Sequence, residues 1–220
     1  MGESTDVDRG ARTGESAERA AGRRRGRRPA AEVRAEVLEA TAALLYDEGL
    51  RAVTFDRVAT KSGASKTTIY KWWPTPGALA AESYFSRSQV ELAFPDTGDL
   101  WRDIRAQLGA FVRLLTEQGA GRVIAELIGA AQSDPILAAA VSEGYTLPRR
   151  RLAVEYFERA RQREQLRPDV DLEMLVDQLW GACYHRLLVP DAPLDVRFAD
   201  ALVENTLLGA ASVDYRERRP

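Results

Sequence analysis

The sequence has very little of what secreted proteins and membrane spans require. Its 220 residues include one cysteine, Cys183. A single cysteine excludes an internal disulfide and suits a reducing compartment. No uncharged run approaches the ~18 apolar residues of a membrane span, and no apolar signal core follows the N-terminus. We therefore expect a soluble, cytoplasmic protein.

Residues suited to catalysis or metal binding are equally scarce. Cys183 and the single histidine, His185, lie two residues apart on a predicted helix and so face different directions. We find no metal-ligand spacing, no glycine-rich phosphate loop and no serine in a nucleophile-elbow context. We expect a protein that is not an enzyme and has no cofactor and no metal, with an unrecognised serine hydrolase as the alternative.

Residues that favour strands are few, whereas Ala, Leu, Arg and Glu supply nearly half the chain. This balance predicts an all-α fold, and the breaks in the helical pattern divide it into a three-helix front domain and a six-helix C-terminal domain. The predicted boundaries are an arm over 1–29, a front domain over 30–90, a rear domain over 91–213 and a tail over 214–220.

Charge is distributed unevenly between the two parts. The net charge is −2, but residues 19–77 carry +6 and residues 78–220 carry −5. A basic front suggests contact with a polyanion, and a solvated basic face without a partner is the alternative. The arm contains five arginines in the six residues before Pro29. Such a run is typical of a flexible tail, and of a nucleic-acid arm when a DNA-binding fold follows at once.

Two short helices joined by a tight turn are predicted between residues 54 and 73, and this is the outline of a helix-turn-helix. Thr54 and Ser65 are candidate N-caps, and Gly63 can adopt the positive φ of the turn. Ile69 and the two tryptophans after it recur at helical spacing and pack the second of these helices inward. An ordinary helical hairpin is the alternative, and the adjoining arginine arm favours DNA binding.

The outward face of that second helix suits the major groove of DNA. Helical geometry turns Thr67 and Lys71 outward, with Thr68 and Tyr70 on the flanks. Hydroxyl groups can bind phosphate, whereas Lys66 and Thr67 can reach base edges. Arginines of the arm can enter the adjacent minor groove; these are Arg24, Arg25, Arg27 and Arg28.

The stretch from Val33 to Tyr84 resembles the N-terminal domain of the TetR family of transcriptional repressors. The resemblance is carried by residues 37–41, Gly49, residues 54–59, residues 62–74 and Leu79. It implies that Thr54, Ser65, Thr68, Tyr70 and Lys71 hold the DNA backbone, with Lys66 and Thr67 nearest the bases.

Residues 71–74, Lys-Trp-Trp-Pro, resemble a large subgroup of that family. The sequence departs from the family at Pro76, where many members have a lysine that meets phosphate. Either that contact is lost, or another cation such as Lys71 or an arginine of the arm replaces it.

The rear part resembles the same family through Gly181, Tyr184, residues 186–188 and the helix over 198–209. The resemblance implies that the rear helices enclose an effector pocket and that the last two helices pair with a second subunit. A stripe of apolar and small residues supports dimerisation, and burial inside one chain is the alternative. The candidate interface residues are Leu179, Cys183, Ala199, Leu202, Val203, Thr206, Leu207 and Ala210.

Aromatic and polarisable side chains of the rear helices are candidates for the effector pocket, and plain core packing is the alternative for each. They are Trp101, Phe111, Tyr145, Phe157, Met174, Trp180, Tyr184 and His185. Residues 149–151 are three consecutive arginines, which either form a solvated face or direct one guanidinium inward to hold an acidic effector.

The leading hypothesis is a ligand-responsive repressor that binds a palindromic operator as a homodimer. A small-molecule effector in the rear pocket would change the separation of the two DNA-binding front domains of the homodimer. The alternatives are a helical protein-interaction module that has lost DNA binding, or a regulator of this type without an effector.

Overall fold

Helices make up almost all of the regular structure in the computed structural model, which describes residues 28–88, 94–117, 119–189 and 191–217. Within these ranges the single pairing of extended backbone is an antiparallel bridge between Leu166 and Ala211. The predicted all-α fold is confirmed. None of the described helices is both long and apolar enough to cross a bilayer.

Side-chain caps begin three of the four helices of the front part. Oxygens of Thr54, Ser65 and Thr75 accept hydrogen bonds from the backbone N–H groups of Arg57, Thr68 and Ala78, at 3.3, 3.1 and 3.1 Å. These bonds satisfy N–H groups that lack a partner within the first turn. The helices are α1 (Ala30–Glu48), α2 (Phe55–Ser62), α3 (Lys66–Trp72) and α4 (Pro76–Ser88).

The rear part contains eight described helices of very different length. They are α5 (Leu100–Thr116), α6 (Ala120–Ala131), α7 (Pro135–Val141), α8 (Leu147–Gln162), α9 (Leu172–Val176), α10 (Ala182–Leu188), α11 (Val196–Ala210) and α12 (Val213–Glu217). A π-helical turn over Ser142–Thr146 joins α7 to α8, and a second over Asp177–Gly181 joins α9 to α10.

Pro148 lies in a helical stretch, where a proline is expected to interrupt or kink the helix. The structure instead widens the preceding turn, Ser142–Thr146, and places Pro148 in the first turn of α8. A proline is tolerated there because its missing N–H is not needed at a helix start. The chain therefore stays helical from α7 through α8.

The segment from 214 onward was expected to be a tail, but residues 213–217 form α12. The Tyr215 hydroxyl donates to the Asp99 carboxylate at 3.0 Å and accepts from the Trp101 N–H at 3.2 Å. These two bonds attach α12 to the start of α5. No signal for this attachment was visible in the sequence, because the bonded residues are more than a hundred positions apart.

The core of the rear part centres on α5, whose apolar stripe is buried from Trp101 to Leu115. A carboxylate is buried beside it. Asp103 accepts hydrogen bonds from the Thr97 N–H at 2.9 Å, the Thr97 hydroxyl at 2.7 Å and the Tyr156 hydroxyl at 3.0 Å. Three donors offset the cost of burying the charge. Burial, followed by the nearby Asp103, raises the pKa of Tyr156 well above its usual value.

Front and rear parts are joined at the corner between α1 and α2. A carboxylate oxygen of Glu126, on α6, accepts from the Leu50 N–H at 2.6 Å, and the other accepts from Arg122 at 2.8 Å. Arg122 also donates to the Tyr46 carbonyl at 2.6 Å. A Cβ at Gly49, whose φ is +89°, would lie 3.0 Å from this carboxylate. Glycine therefore suits both the backbone and the space.

Candidate functional site

The turn between α2 and α3 has the predicted geometry. Gly63 has a φ of 68° and a ψ of 11°, and its N–H donates to the Ala59 carbonyl at 2.9 Å. Val58, Ile69 and Trp73 are buried and pack the two helices against the rest of the front part. A helix-turn-helix is the motif that this arrangement defines.

The opposite face of α3 is exposed to solvent. Thr67, Tyr70 and Lys71 are exposed, and Tyr70 retains 60% of its accessible surface. The edge contact between the rings of Phe55 and Tyr70, with centroids 4.5 Å apart, orients the tyrosine. Ser65 and Thr68 bond to each other through their hydroxyl oxygens at 2.8 Å. The predicted hydroxyl and lysine side chains therefore share one end of the front part.

One acidic group lies within this face. The ammonium group of Lys66 forms an ion pair with Asp56 at the start of α2, and both side chains are exposed. The hydrogen bond and charge of Asp56 raise the pKa of Lys66. No acidic residue lies between 61 and 81 in the sequence, so tertiary structure alone places this carboxylate beside the recognition helix.

Arg28 is the member of the predicted arginine arm that lies within the described residues. Its guanidinium pairs with Glu36 at 2.6 Å and donates to the Gly63 carbonyl at 3.3 Å, so it lies against the helix-turn-helix turn. The predictions for Arg24, Arg25 and Arg27 concern residues outside the described ranges.

Sequence reasoning missed a cluster that fixes α3 against α1 and α4. The Trp73 indole N–H donates to Glu82 at 2.8 Å, and Arg34 donates to the other oxygen of that carboxylate at 2.5 Å. The Arg34 guanidinium also lies 4.6 Å from the centre of the Trp73 ring. A charge-assisted bond and a cation–π contact thus hold the recognition helix in place.

A cavity of about 220 Å³ lies among the rear helices. Of the predicted pocket residues, Phe111, Tyr145, Trp180 and Tyr184 line it. Phe94 and Arg149 also contribute to the wall, and their side chains are in contact, with the guanidinium 5.8 Å from the ring centre.

Four predicted pocket residues lie elsewhere, and these predictions need correction. Trp101 is buried against α11 and α12, and its indole N–H donates to Glu204. Phe157 is fully buried in the core beside the cavity wall. Met174 and His185 are exposed on the outer surface. Periodicity places aromatic side chains on helices but does not show which neighbours leave space between them.

The three consecutive arginines have different environments. Arg149 lines the cavity and is half-buried, and desolvation lowers the pKa of its guanidinium although nearby Tyr145 and Tyr184 oppose the shift. Arg150 is at the cavity edge and pairs with Glu173 at 2.6 Å and with Asp177. Arg151 is exposed. The alternative of one inward guanidinium therefore applies to Arg149.

Most of the predicted dimer stripe is buried inside the subunit, as the alternative interpretation held. These residues are Leu179, Cys183, Ala199, Val203, Leu207 and Ala210. They belong to the core cluster, where α11 packs on α5, and their surface is not available to a partner. Burial also raises the pKa of the Cys183 thiol to about 12. Leu202 and Thr206 are half-buried and border a groove between α9 and α11.

The fold and the exposed recognition helix define a helix-turn-helix protein of the type that binds DNA. Comparisons with known proteins agree with this class. Residues 37–82 match the family model described as bacterial regulatory proteins, tetR family, and residues 94–206 match the tetracyclin repressor-like C-terminal domain. The chain belongs to the TetR family of transcriptional regulators.

Relatives and solved structures extend the likeness over most of the chain. The chain is 35% identical to the uncharacterized HTH-type transcriptional regulator YdeS of Bacillus subtilis, over 82% of this chain and 91% of that protein. It is 31% identical to the DNA-binding transcriptional repressor TetR of Mycobacteroides abscessus, over 79% and 91%. The crystal structure of the TetR family transcription regulator SCO0332 is 56% identical, with a TM-score of 0.74 and coverage of 81% and 98%.

Proposed function

We propose that the protein is a repressor rather than an enzyme, and that it acts as a homodimer on a palindromic operator and is released by a small-molecule effector. The observation that carries this proposal is the exposed face of α3, which presents Thr67, Tyr70 and Lys71 to solvent. Hydroxyl and ammonium groups on a helix of this motif suit phosphate and base edges in the major groove.

DNA contacts follow from the positions of these side chains. Thr54, Ser65, Thr68, Tyr70 and Lys71 hold the backbone, and Lys66 and Thr67 lie nearest the bases. Lys66 must leave Asp56 or share it before it can contact DNA. Pro76 occupies the first turn of α4, so Lys71, five residues earlier, supplies the charge that a lysine at that position would give.

Dimerisation uses the outer faces of α9, α10 and α11. The groove between α9 and α11 exposes Met174, Gln178 and Asn205, with Leu202 and Thr206 at its edge. These side chains replace the buried members of the predicted stripe. A two-fold axis here would place the two recognition helices about one turn of DNA apart, ~34 Å.

A series of aromatic contacts connects the cavity to the front part and can transmit the effect of a ligand. Tyr145 lines the cavity, and its ring stacks on Phe85 of α4 with centroids 4.0 Å apart and planes at 9°. Phe85 contacts Tyr84, whose ring stacks on Tyr46 of α1 at 6.4 Å. A ligand that displaces Tyr145 therefore displaces Phe85 and α4, to which the recognition helix is bonded through Trp73 and Glu82, and this favours a second arrangement of the two parts.

Titration of fluorescent DNA from upstream of the protein's own gene tests the proposal by fluorescence anisotropy. We expect selective binding relative to scrambled DNA of equal length, and an affinity that falls steeply as salt rises. The Lys71→Ala variant should bind more weakly, with a salt slope smaller by about 1. Equal affinity for the scrambled DNA would contradict operator binding.

A further inference from the structure

The cavity is enclosed by aromatic rings from several elements. Phe111 comes from α5, Tyr145 from the first π-helical turn, Trp180 from the second and Tyr184 from α10. The Phe111 and Tyr184 rings meet edge to face with centroids 5.5 Å apart, and Phe94 lies 5.8 Å from Trp180. Walls of this kind favour a flat, apolar ligand that can stack or make edge contacts.

Arg149 brings a cation to the cavity wall. It is half-buried among Phe94, Tyr145 and Tyr184, where the low dielectric strengthens its field. Of the described residues that line the cavity, Asp177 is acidic, and its carboxylate pairs with Arg150, which also pairs with Glu173. A half-buried guanidinium on the wall favours an anionic ligand over a cationic one.

Two phenols lie beside the guanidinium. A phenol is protonated at neutral pH, and burial raises the pKa of Tyr145 and that of Tyr184 further. The two side chains also hydrogen-bond to each other, so one hydroxyl proton of the pair remains to donate elsewhere. A protonated phenol can donate a hydrogen bond to an anionic oxygen, as can the planar guanidinium. A planar carboxylate matches these donors in shape and charge.

The volume restricts the size of the ligand. About 220 Å³ is less than the roughly 300–1,000 Å³ of pockets for drug-sized ligands. A molecule of one or two fused rings can enter without unfolding the walls. Long chains and multi-ring ligands would require the surrounding helices to separate.

We infer that the effector is a compact aromatic carboxylate, with its ring between Phe111, Trp180 and Tyr184 and its carboxylate on Arg149. This inference rests on the proposed ligand-responsive function and specifies the chemistry of the ligand. An anion pulled toward Arg149 also comes against Tyr145, which transmits the displacement to Phe85 and α4.

Isothermal titration calorimetry with 2-naphthoate and its neutral isostere 2-naphthamide tests the inference on the full chain. We expect 2-naphthoate to bind, and the amide to bind at least about 10-fold more weakly, because a charge-assisted bond is replaced by a neutral one. 2-Naphthylmethylammonium should not bind. Equal affinity for the amide and the carboxylate, or the absence of any heat with 2-naphthoate, would overturn the inference.

Charge variants on α8 locate the anion. Arg149→Met should weaken 2-naphthoate binding by about 10-fold or more and leave the weak binding of the amide unchanged. Arg151→Met removes the same charge from the exposed face of the helix and should leave both affinities unchanged. Arg149→Lys retains the charge and should keep much of the binding, which separates a charge effect from loss of folding. Unaltered 2-naphthoate affinity in Arg149→Met would contradict the assignment.

The two proposals can fail separately. DNA binding by the protein without ligand tests the regulator function and does not depend on the cavity. If the amide binds more tightly than the carboxylate and releases DNA, effector control stands and the carboxylate inference is wrong. If 2-naphthoate binds through Arg149 but no operator is found, the inference on ligand chemistry stands and the repressor proposal is wrong.

Discussion

Among individual residues, Asp56 bears most directly on the proposed DNA contact. Its carboxylate is exposed beside α3 and holds the ammonium group of Lys66. In the proposed complex it therefore competes with DNA for Lys66, and its own charge repels phosphate. Both effects would lower affinity for operator and non-specific DNA alike.

Asp56→Asn should increase affinity for operator DNA several-fold, because Lys66 is released and a negative charge is removed. Fluorescence anisotropy at two salt concentrations measures the change. Glu39→Gln is the matched control, since it removes an equal charge from an exposed position on α1 without breaking an ion pair among the residues that the structure describes. An identical gain in both variants would mean that overall charge, rather than the release of Lys66, is responsible.

Tyr156→Phe should lower the free energy of unfolding by roughly 1–3 kcal/mol, because buried Asp103 loses one of its donors. Urea denaturation followed by circular dichroism gives this value. Tyr70→Phe removes an exposed hydroxyl and should change stability by less than about 0.5 kcal/mol. Equal stability of Tyr156→Phe and the unaltered protein would show that the Asp103 network contributes little.

Between helices, close approach depends on particular small residues. Gly121 lies in the first turn of α6, beside the end of α5. A Cβ there would overlap the Leu115 carbonyl oxygen and come within 3.0 Å of a Leu187 methyl group. The rear helices can pack in this way because that position has no side chain.

Gly121→Ala should destabilise the protein by more than about 2 kcal/mol, since a backbone atom must move to make room. Gly129→Ala, on the same helix, meets nothing within 4 Å and should stabilise it by up to about 1 kcal/mol through helix propensity. Thermal unfolding of the two variants provides the comparison. Similar melting temperatures would indicate that α5 and α6 adjust freely.

The contact between the first π-helical turn and α4 can be tested by its effect on signalling. Phe85→Leu keeps an apolar side chain but removes the ring stacked on Tyr145. We expect 2-naphthoate to bind this variant with nearly unchanged affinity but to release less DNA, as measured by anisotropy with and without ligand. Leu152→Ala, at an exposed position on α8, should leave the release unchanged. Full release in Phe85→Leu would exclude the stack as the route.

For the chain as a whole, the surface left open after folding determines where a second copy can bind. The core takes up most of the apolar stripe on α11, and the exposed groove between α9 and α11 remains. A two-fold contact buries the same patch on both chains, so one charge introduced there appears twice and is repelled.

Leu202→Glu should convert the protein to a monomer in size-exclusion chromatography with light scattering. Operator affinity should fall at least about 10-fold, because two linked DNA-binding domains bind more tightly than one. Leu152→Glu places the same charge on the exposed side of α8 and should leave the dimer intact. A Leu202→Glu protein that remains dimeric would place the interface elsewhere.

The helix starts could be predicted because caps and turns act over a few residues. Thr54, Ser65 and Thr75 each cap the helix that follows them through a short-range hydrogen bond, and Gly63 ends α2 because glycine readily adopts a positive φ. The same local rule identified the exposed face of α3. These features would be expected in any fold that keeps the helices.

Contacts between distant segments could not be predicted in this way, because they depend on how the helices pack against one another. Composition and periodicity mark Phe111 and Phe157 as equally aromatic, yet one lines the cavity and the other is enclosed by core. The approach of Asp56 to Lys66 and of Glu126 to Leu50 is likewise set by how helices cross. The helical class, the turn and the caps are thus local properties of the chain. Packing of all the helices together determines the cavity, the exposed groove between α9 and α11 and the acid beside the recognition helix, because these depend on which surfaces the core has already buried.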